Sequence, residues 1–352
     1  MAEQLKSNLA EPPSLAEPPQ SHALRPRSRI RIEALDMTKG VLIVAMVVYH
    51  SFNYSTDYRL GFRYLPFLPP SFILITGFLI SRLYFKSGVA CDPRVHGRLL
   101  FRGFRLLVLF TLLNVATQIA GRQKFATDPQ GIAYLADYWF EIYGIGGARF
   151  AAFSILLPIA YLLLLAPLLI LLHRFNRVLA SLVTVSVAIF CAAPSQPSVN
   201  LALLGAGLIG VILGGVPAGA LSAMGRYWYI AVASYVGYLS LSYLFWRSPF
   251  DQLLNAFLAL AAIFSVCAAI NSDSPIGRRL LVLGKYSLLA YIVQIAILQI
   301  LARFVGRMEP FSVLFFLQML GVLLLMIIMA ESLGWARKKS TWVDTSYRAV
   351  FA

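Results

Sequence analysis

The hydrophobic residues of this chain come in blocks of about 20, the length an α-helix needs to cross a bilayer. Ten blocks are readable, at about 37–54, 66–86, 99–120, 148–172, 177–193, 199–216, 227–246, 252–270, 281–304 and 312–333. Alternating segments of about ten residues are absent, which excludes a transmembrane β-barrel. The pattern predicts an all-α fold, a polytopic integral membrane protein built as a bundle of about ten transmembrane helices. The connections are mostly short, so one membrane domain, 29–336, is expected between a tail at 1–28 and a C-terminal tail at 337–352.

Composition agrees. Of 352 residues, 59% are hydrophobic and 13% charged, and the mean hydropathy is +0.74. A soluble domain carries roughly 25% charged residues. A water-soluble globule, a disordered chain and a disulfide scaffold are excluded. The net charge of +15 would suggest nucleic acid if the basic residues were clustered at random. They are not. With ten spans, the two tails and the even-numbered loops hold 22 of the 30 Lys and Arg. The positive-inside rule then puts both termini in the cytoplasm, and no nucleic-acid partner is expected. The three cysteines have no disulfide or metal spacing. The first apolar run starts near Val41, behind a long polar tail, so the first span is expected to be its own insertion signal.

The tail carries a tandem hexapeptide, Leu9-Ala10-Glu11-Pro12-Pro13-Ser14 then Leu15-Ala16-Glu17-Pro18-Pro19-Gln20. Doubled prolines and few apolar residues predict a disordered cytoplasmic linker. Arg25, Arg27, Arg29 and Arg31 follow, suited to anionic headgroups. The longest outside connection, 122–147, is aromatic and mildly acidic, with Tyr134, Asp137, Tyr138, Trp139, Glu141 and Tyr143. It reads as an interfacial belt or as a platform for a sugar-like acceptor, with Glu141 as a binding residue. Pro158 and Pro167 are expected to kink the fourth span. Gly205, Gly207, Gly210, Gly214 and Gly215 predict close helix packing.

Candidate chemistry starts in the first span. Asp36-Met37-Thr38-Lys39-Gly40 opens it and Tyr49-His50-Ser51-Phe52-Asn53 closes it. Lys39 and His50 are eleven residues apart, three helical turns, so they share nearly one face at roughly 16 Å separation. His50 is the one histidine inside a predicted span. An ionisable group there either hydrogen-bonds between helices or marks a site, where an imidazole can act as general base or carry an acyl group. Arg98, Arg102 and Arg105 share a face at the start of the third span. They read as snorkelling topology markers or as a phosphate clamp, since guanidinium pairs with phosphate in a fork.

These residues carry a resemblance. Leu35-Asp36-Met37-Thr38-Lys39-Gly40 followed by His50 resembles the first-helix motif of the transmembrane acyltransferase superfamily, which includes the acyltransferase-3 proteins, the heparan-alpha-glucosaminide N-acetyltransferases and the glucan succinyltransferases. Ser71-Phe72-Ile73-Leu74-Ile75-Thr76-Gly77-Phe78-Leu79-Ile80 resembles its second-helix motif. Arg102-Gly103-Phe104-Arg105 resembles its Arg-x-x-Arg, and Leu283-Gly284-Lys285-Tyr286-Ser287 through Tyr291 resembles its late motif. The chain departs from the family pattern at three places: Lys39 stands where Arg is usual, Gln294 where a late His is common, and Phe150–Ser154 lacks a Glu frequent in the acyltransferase-3 branch.

The resemblance implies transfer of an acetyl or succinyl group from cytoplasmic acyl-CoA to a hydroxyl or amine of an extracytoplasmic glycan or lipid-linked sugar, in a cell inner membrane. It implies His50 as the catalytic residue and Lys39, Arg102 and Arg105 on the CoA phosphates. Asn53, Tyr54 and Thr76 are candidates for orienting substrate, with helix packing as the other reading of Thr76. Acyl-CoA is then a donor substrate, no cofactor is permanently bound, no metal is expected, and membrane lipid is the remaining partner. The alternative is a transporter or a lipid or glycan flippase using His50 as a proton relay.

Overall fold

The computed structural model of the protein describes residues 33–56, 65–85, 93–120, 138–146, 153–193, 198–244 and 249–351. The proline-rich tail, Arg25 to Arg31, and Tyr134 and Asp137 of the long connection lie outside them. The described residues are helical and contain no strand.

In chain order the helices are α1 Glu33–Ser55, α2 Leu68–Ile80, α3 Pro93–Ala120, α4 Leu156–Phe175, α5 Arg177–Ala192, α6 Val199–Leu213, α7 Ala218–Arg226, α8 Trp228–Leu244, α9 Pro249–Ala269, α10 Pro275–Lys285, α11 Ser287–Phe304, α12 Val313–Lys339 and α13 Thr341–Phe351. A π-helical turn, Ser81–Phe85, extends α2, and a second, Phe140–Ile145, follows α3.

Seven of these are long and apolar enough to cross a membrane: α1, α2 with its π turn, α3, α4, α9, α11 and α12. The protein is a membrane-embedded helical bundle. Three expected spans are shorter helices, α5 with 16 residues, α6 with 15 and α8 with 17. The block at 281–304 is not one helix. It breaks at Tyr286, leaving the amphipathic α10 on one side and α11 on the other. Ser274 caps α10 by accepting from the Gly277 N–H, and Pro275 fills its first position, both standard helix-start chemistry. Apolar side chains stand exposed along α3 (Leu100, Phe104, Leu112), α5 (Leu182, Ile189, Phe190) and α12 (Leu317, Leu320, Leu324). In water such stripes would drive association; against lipid tails they cost nothing.

α1 is the hub. Leu42, Ile43 and Val47 are fully buried, and α1 packs on α9, α10, α11 and α12. Its contact with α10 is backbone to backbone: a Cβ on Gly284 would lie 1.7 Å from the Asp36 carbonyl oxygen, and one on Gly40 2.2 Å from that of Leu280. Without strong hydrophobic drive between helices in lipid, such small residues set how near two backbones come. The same device joins α2 to α6. Gly210 meets Leu74, Gly77 meets Gly207 and Gly214 meets Ser81, so the two helices run in the same direction and the glycine-rich pattern does what its composition predicts.

Two connections fix the ends of the hub. The Met308 N–H donates to the Ser55 carbonyl at 2.7 Å, so the α11–α12 connection sits at the end where α1 stops. At the other end Arg337, late in α12, lies over the Tyr286 ring, next to the α1–α10 contact. The start of α1 and the end of α12 therefore lie at one end of the bundle.

Pro167 is inside α4, but Pro158 sits in its first turn, where the backbone N–H needs no partner four residues back. The expected second kink is absent because the helix starts at Leu156 rather than at 148.

Candidate functional site

His50 stands one turn before the end of α1, half-buried in a cage of tyrosines. Its ring is 5.1 Å from that of Tyr49, 5.9 Å from Tyr54 in a stack, and 6.4 Å from Tyr291 of α11. Its Nδ1 is buried and has no hydrogen-bond partner among the described residues. Gln299 on α11 donates to the Tyr54 hydroxyl at 3.3 Å and fixes that ring. Because Tyr291 meets His50 and Gln299 meets Tyr54, α1 and α11 run in the same direction. Phe153, just before α4, packs edge-on to Tyr291 at 6.0 Å. Phe153 holds φ at 61°, a left-handed conformation that costs a bulky residue about 1–2 kcal/mol, and its side chain is buried against Tyr291.

Below the cage lies a mostly apolar cavity of about 220 Å³, with Lys39, Thr76, Ser287 and Tyr291 as its polar lining. His50 does not line it directly; contact with the cavity runs through Tyr291. A second cavity of about 270 Å³ shares Thr76, Leu79, Leu106 and Leu288 with the first and adds Arg102 and Arg105. Those two arginines also line a shallow bowl of about 440 Å³ on α3, together with Arg94, Arg98 and Phe101. The three cavities adjoin through shared lining residues: Arg102 and Arg105 join the arginine bowl to the second cavity, and Thr76, Leu79, Leu106 and Leu288 join that one to the first, which Lys39 and Tyr291 line.

Each expected residue can now be placed. Lys39 faces the inner cavity, and its ammonium pairs with Asp36 at 2.6 Å. Arg102 and Arg105 form the mouth, and the Arg105 Nη1 donates to the Arg348 carbonyl at 2.9 Å. Thr76 lines both cavities while its hydroxyl donates to the Phe72 carbonyl at 2.9 Å; its packing and lining roles coincide. Tyr54 is in the histidine cage. Asn53 is exposed on the last turn of α1. Glu141 is exposed on the π turn after α3. That turn is tied to α3, α4 and α6 by Thr111–Tyr143, Tyr161–Tyr143 and Asn200–Ile142 hydrogen bonds. The structure thus gathers Lys39, Thr76, Arg102, Arg105 and, through Tyr291, His50 and Tyr54, and leaves Asn53 and Glu141 outside that path.

Several site residues carry no sequence signal of their own. Val350 and Phe351 of α13 line the mouth cavity. They lie in the stretch expected to be a C-terminal tail, which is the helix Thr341–Phe351. Asp344 ties that helix to α12 through Arg337, at 2.8 and 2.6 Å, and pairs within the helix with Arg348 at 2.6 Å. The Arg337 hydrogen bond holds the Asp344 carboxyl below the usual carboxylate range. Tyr291 and Ser287 belong to the late motif, yet nothing in their spacing alone singles them out as the ceiling and wall of a cavity.

No family model matches the chain, and no curated protein or solved structure matches it either.

Proposed function

We propose that the protein is an integral-membrane acyltransferase moving an acyl group from cytoplasmic acyl-CoA to a hydroxyl or amine of an extracytoplasmic glycan or lipid-linked sugar. The observation that carries this reading is the run of cavities from the arginine surface to the His50 cage. A long donor with a polyanionic head and a reactive thioester tail matches it: phosphates on Arg102, Arg105 and their neighbours, arm past Thr76 and Lys39, thioester at Tyr291. His50 takes the acceptor's proton, the acceptor oxygen or nitrogen attacks the thioester carbonyl, the C–S bond breaks, and the coenzyme A thiolate leaves with that proton. The motif resemblance supports the same assignment, since its four segments supply Lys39, Thr76, the two arginines and Tyr291.

Ten spans support the required geometry. α2 and α6 run in the same direction, which needs an odd number of crossings between them; α3, α4 and α5 supply three only if the short α5 crosses. α1 and α11 also run in the same direction. In the ten-span reading α5, α6 and α8 cross as well, which keeps the count between α1 and α11 odd. The basic loops then orient the arginine end toward the cytoplasm, with both termini there, and the His50 end toward the outer face of a cell inner membrane.

Purified protein in detergent or nanodiscs should release coenzyme A from acetyl-CoA when acceptor is supplied, and His50→Ala should reduce that release by 10²-fold or more, in the range of a lost general base. A wild-type rate retained by the variant, with intact folding, overturns the assignment.

A further inference from the structure

We infer that the acyl group this site transfers is uncharged, a short aliphatic acyl rather than a dicarboxylic one such as succinyl or malonyl; the inference rests on the acyltransferase reading above. The cavity in which the thioester would lie is walled by Met46, Phe72, Ile75, Ile155, Leu156 and Ile159. Among the described residues its polar lining is four groups. The Thr76 hydroxyl is committed to the Phe72 carbonyl, and Ser287 and Tyr291 are neutral hydroxyls. Among the described residues, Lys39 is the only cation lining this cavity, and it is bound to Asp36 at 2.6 Å. It also sits at the wrong end, roughly 16 Å along α1 from His50.

A succinyl thioester carries a carboxylate three carbons from its reacting carbonyl. With the carbonyl at Tyr291 and the phosphates at the mouth, that carboxylate falls against Met46, Ile155 and Ile159. Among the described residues, the Met46, Ile155 and Ile159 side chains at that wall offer a carboxylate neither a counter-ion nor a hydrogen-bond donor, and such burial is strongly unfavourable. A terminal methyl in the same place gains from the same wall. The cavity discriminates by what it withholds from the charged donor. The reaction balances as before: the thioester C–S bond breaks, the new acyl C–O or C–N bond forms, and the acceptor's proton passes through His50 to the coenzyme A thiolate.

Butyryl-CoA and succinyl-CoA test this directly, because they have the same number of acyl carbons and differ in a terminal methyl against a carboxylate. Full-length protein should use butyryl-CoA with kcat/KM roughly 100-fold or more above succinyl-CoA, and the His50→Ala protein should show the same preference in equilibrium binding. Met46→Lys puts a cation one helical turn before His50 and should move the ratio toward succinyl-CoA by tenfold or more; Ile159→Lys, at a half-buried position on α4, is the second variant should the first not fold. Equal or better use of succinyl-CoA by the wild-type protein overturns the inference and leaves the acyltransferase reading standing. Failure of the protein to bind or turn over either donor overturns both.

Discussion

Replacing Gly284 by Ala tests the contact on which the site's inner end depends. The added methyl would start 1.7 Å from the Asp36 carbonyl oxygen and 2.6 Å from its carbonyl carbon. Ordinary contact begins near 3.4 Å, so α1 and α10 must separate by well over 1 Å locally. Both partners are backbone, and no side-chain rotation can relieve the overlap. Overpacking of this kind costs typically 1–3 kcal/mol, against which the gain in helix propensity from Gly to Ala is about 1 kcal/mol. Gly237 on α8 is the control: a Cβ there meets nothing within 4 Å, so Gly237→Ala keeps the propensity gain and pays no clash. Thermal unfolding in one detergent should place Gly284→Ala below the wild type and Gly237→Ala at or above it. Asp36 holds Lys39, so the same shift should misplace that ammonium and reduce donor turnover by as much as 10²-fold, the penalty typical of a 1 Å displacement. Equal melting temperatures for Gly284→Ala and the wild type would mean that α1 and α10 do not meet at these residues.

Two further outcomes follow from the mouth of the path. Arg102→Ala combined with Arg105→Ala should raise the KM for acyl-CoA about tenfold or more with little change in kcat, as expected for lost phosphate binding; an unchanged KM would reduce these arginines to topology markers. The Asp344 bridge holds α13 over the mouth, and its carboxyl titrates lower in the folded protein than the free value near 3.9. A depressed pKa contributes above the unfolded value and is lost as pH falls through the folded one. Protease cleavage at α13 should therefore be flat from pH 5 to 8 and rise only below about pH 4, whereas Asp344→Asn should show the raised cleavage already at pH 7.

The membrane class was legible from block length alone, because a span must be about 20 residues of apolar sequence. Block edges were less so. The run at 281–304 reads as continuous since Leu280 to Leu283 are apolar, yet the α10 contact with α1 needs Gly284 and Leu280 on one face, and the chain turns at Tyr286. Pro158 misled because the sequence placed the helix start too early. At the site, Lys39 and His50 were readable from helical phase, and the arginines from their spacing. Tyr291 was not, because a tyrosine in an apolar helix has many packing roles and only the fold puts its ring against His50. Glu141 reads as a binding residue from its charge in an aromatic loop, but its π turn is tethered to α3, α4 and α6 and it lies exposed outside the cavities. The C-terminal helix is not legible for a different reason: its Phe351 reaches the mouth cavity through tertiary ties, the Arg337–Asp344 bridge to α12 and the Arg105 bond to the Arg348 carbonyl.

In the proposed reaction one donor molecule runs from the arginine surface to the His50 cage. A structure determined with bound coenzyme A measures this most directly. The phosphates should lie against Arg102 and Arg105 and the thiol beside Tyr291, within reach of the His50 ring. Coenzyme A bound elsewhere, or a thiol that stops on the far side of Thr76 from Tyr291, would contradict it.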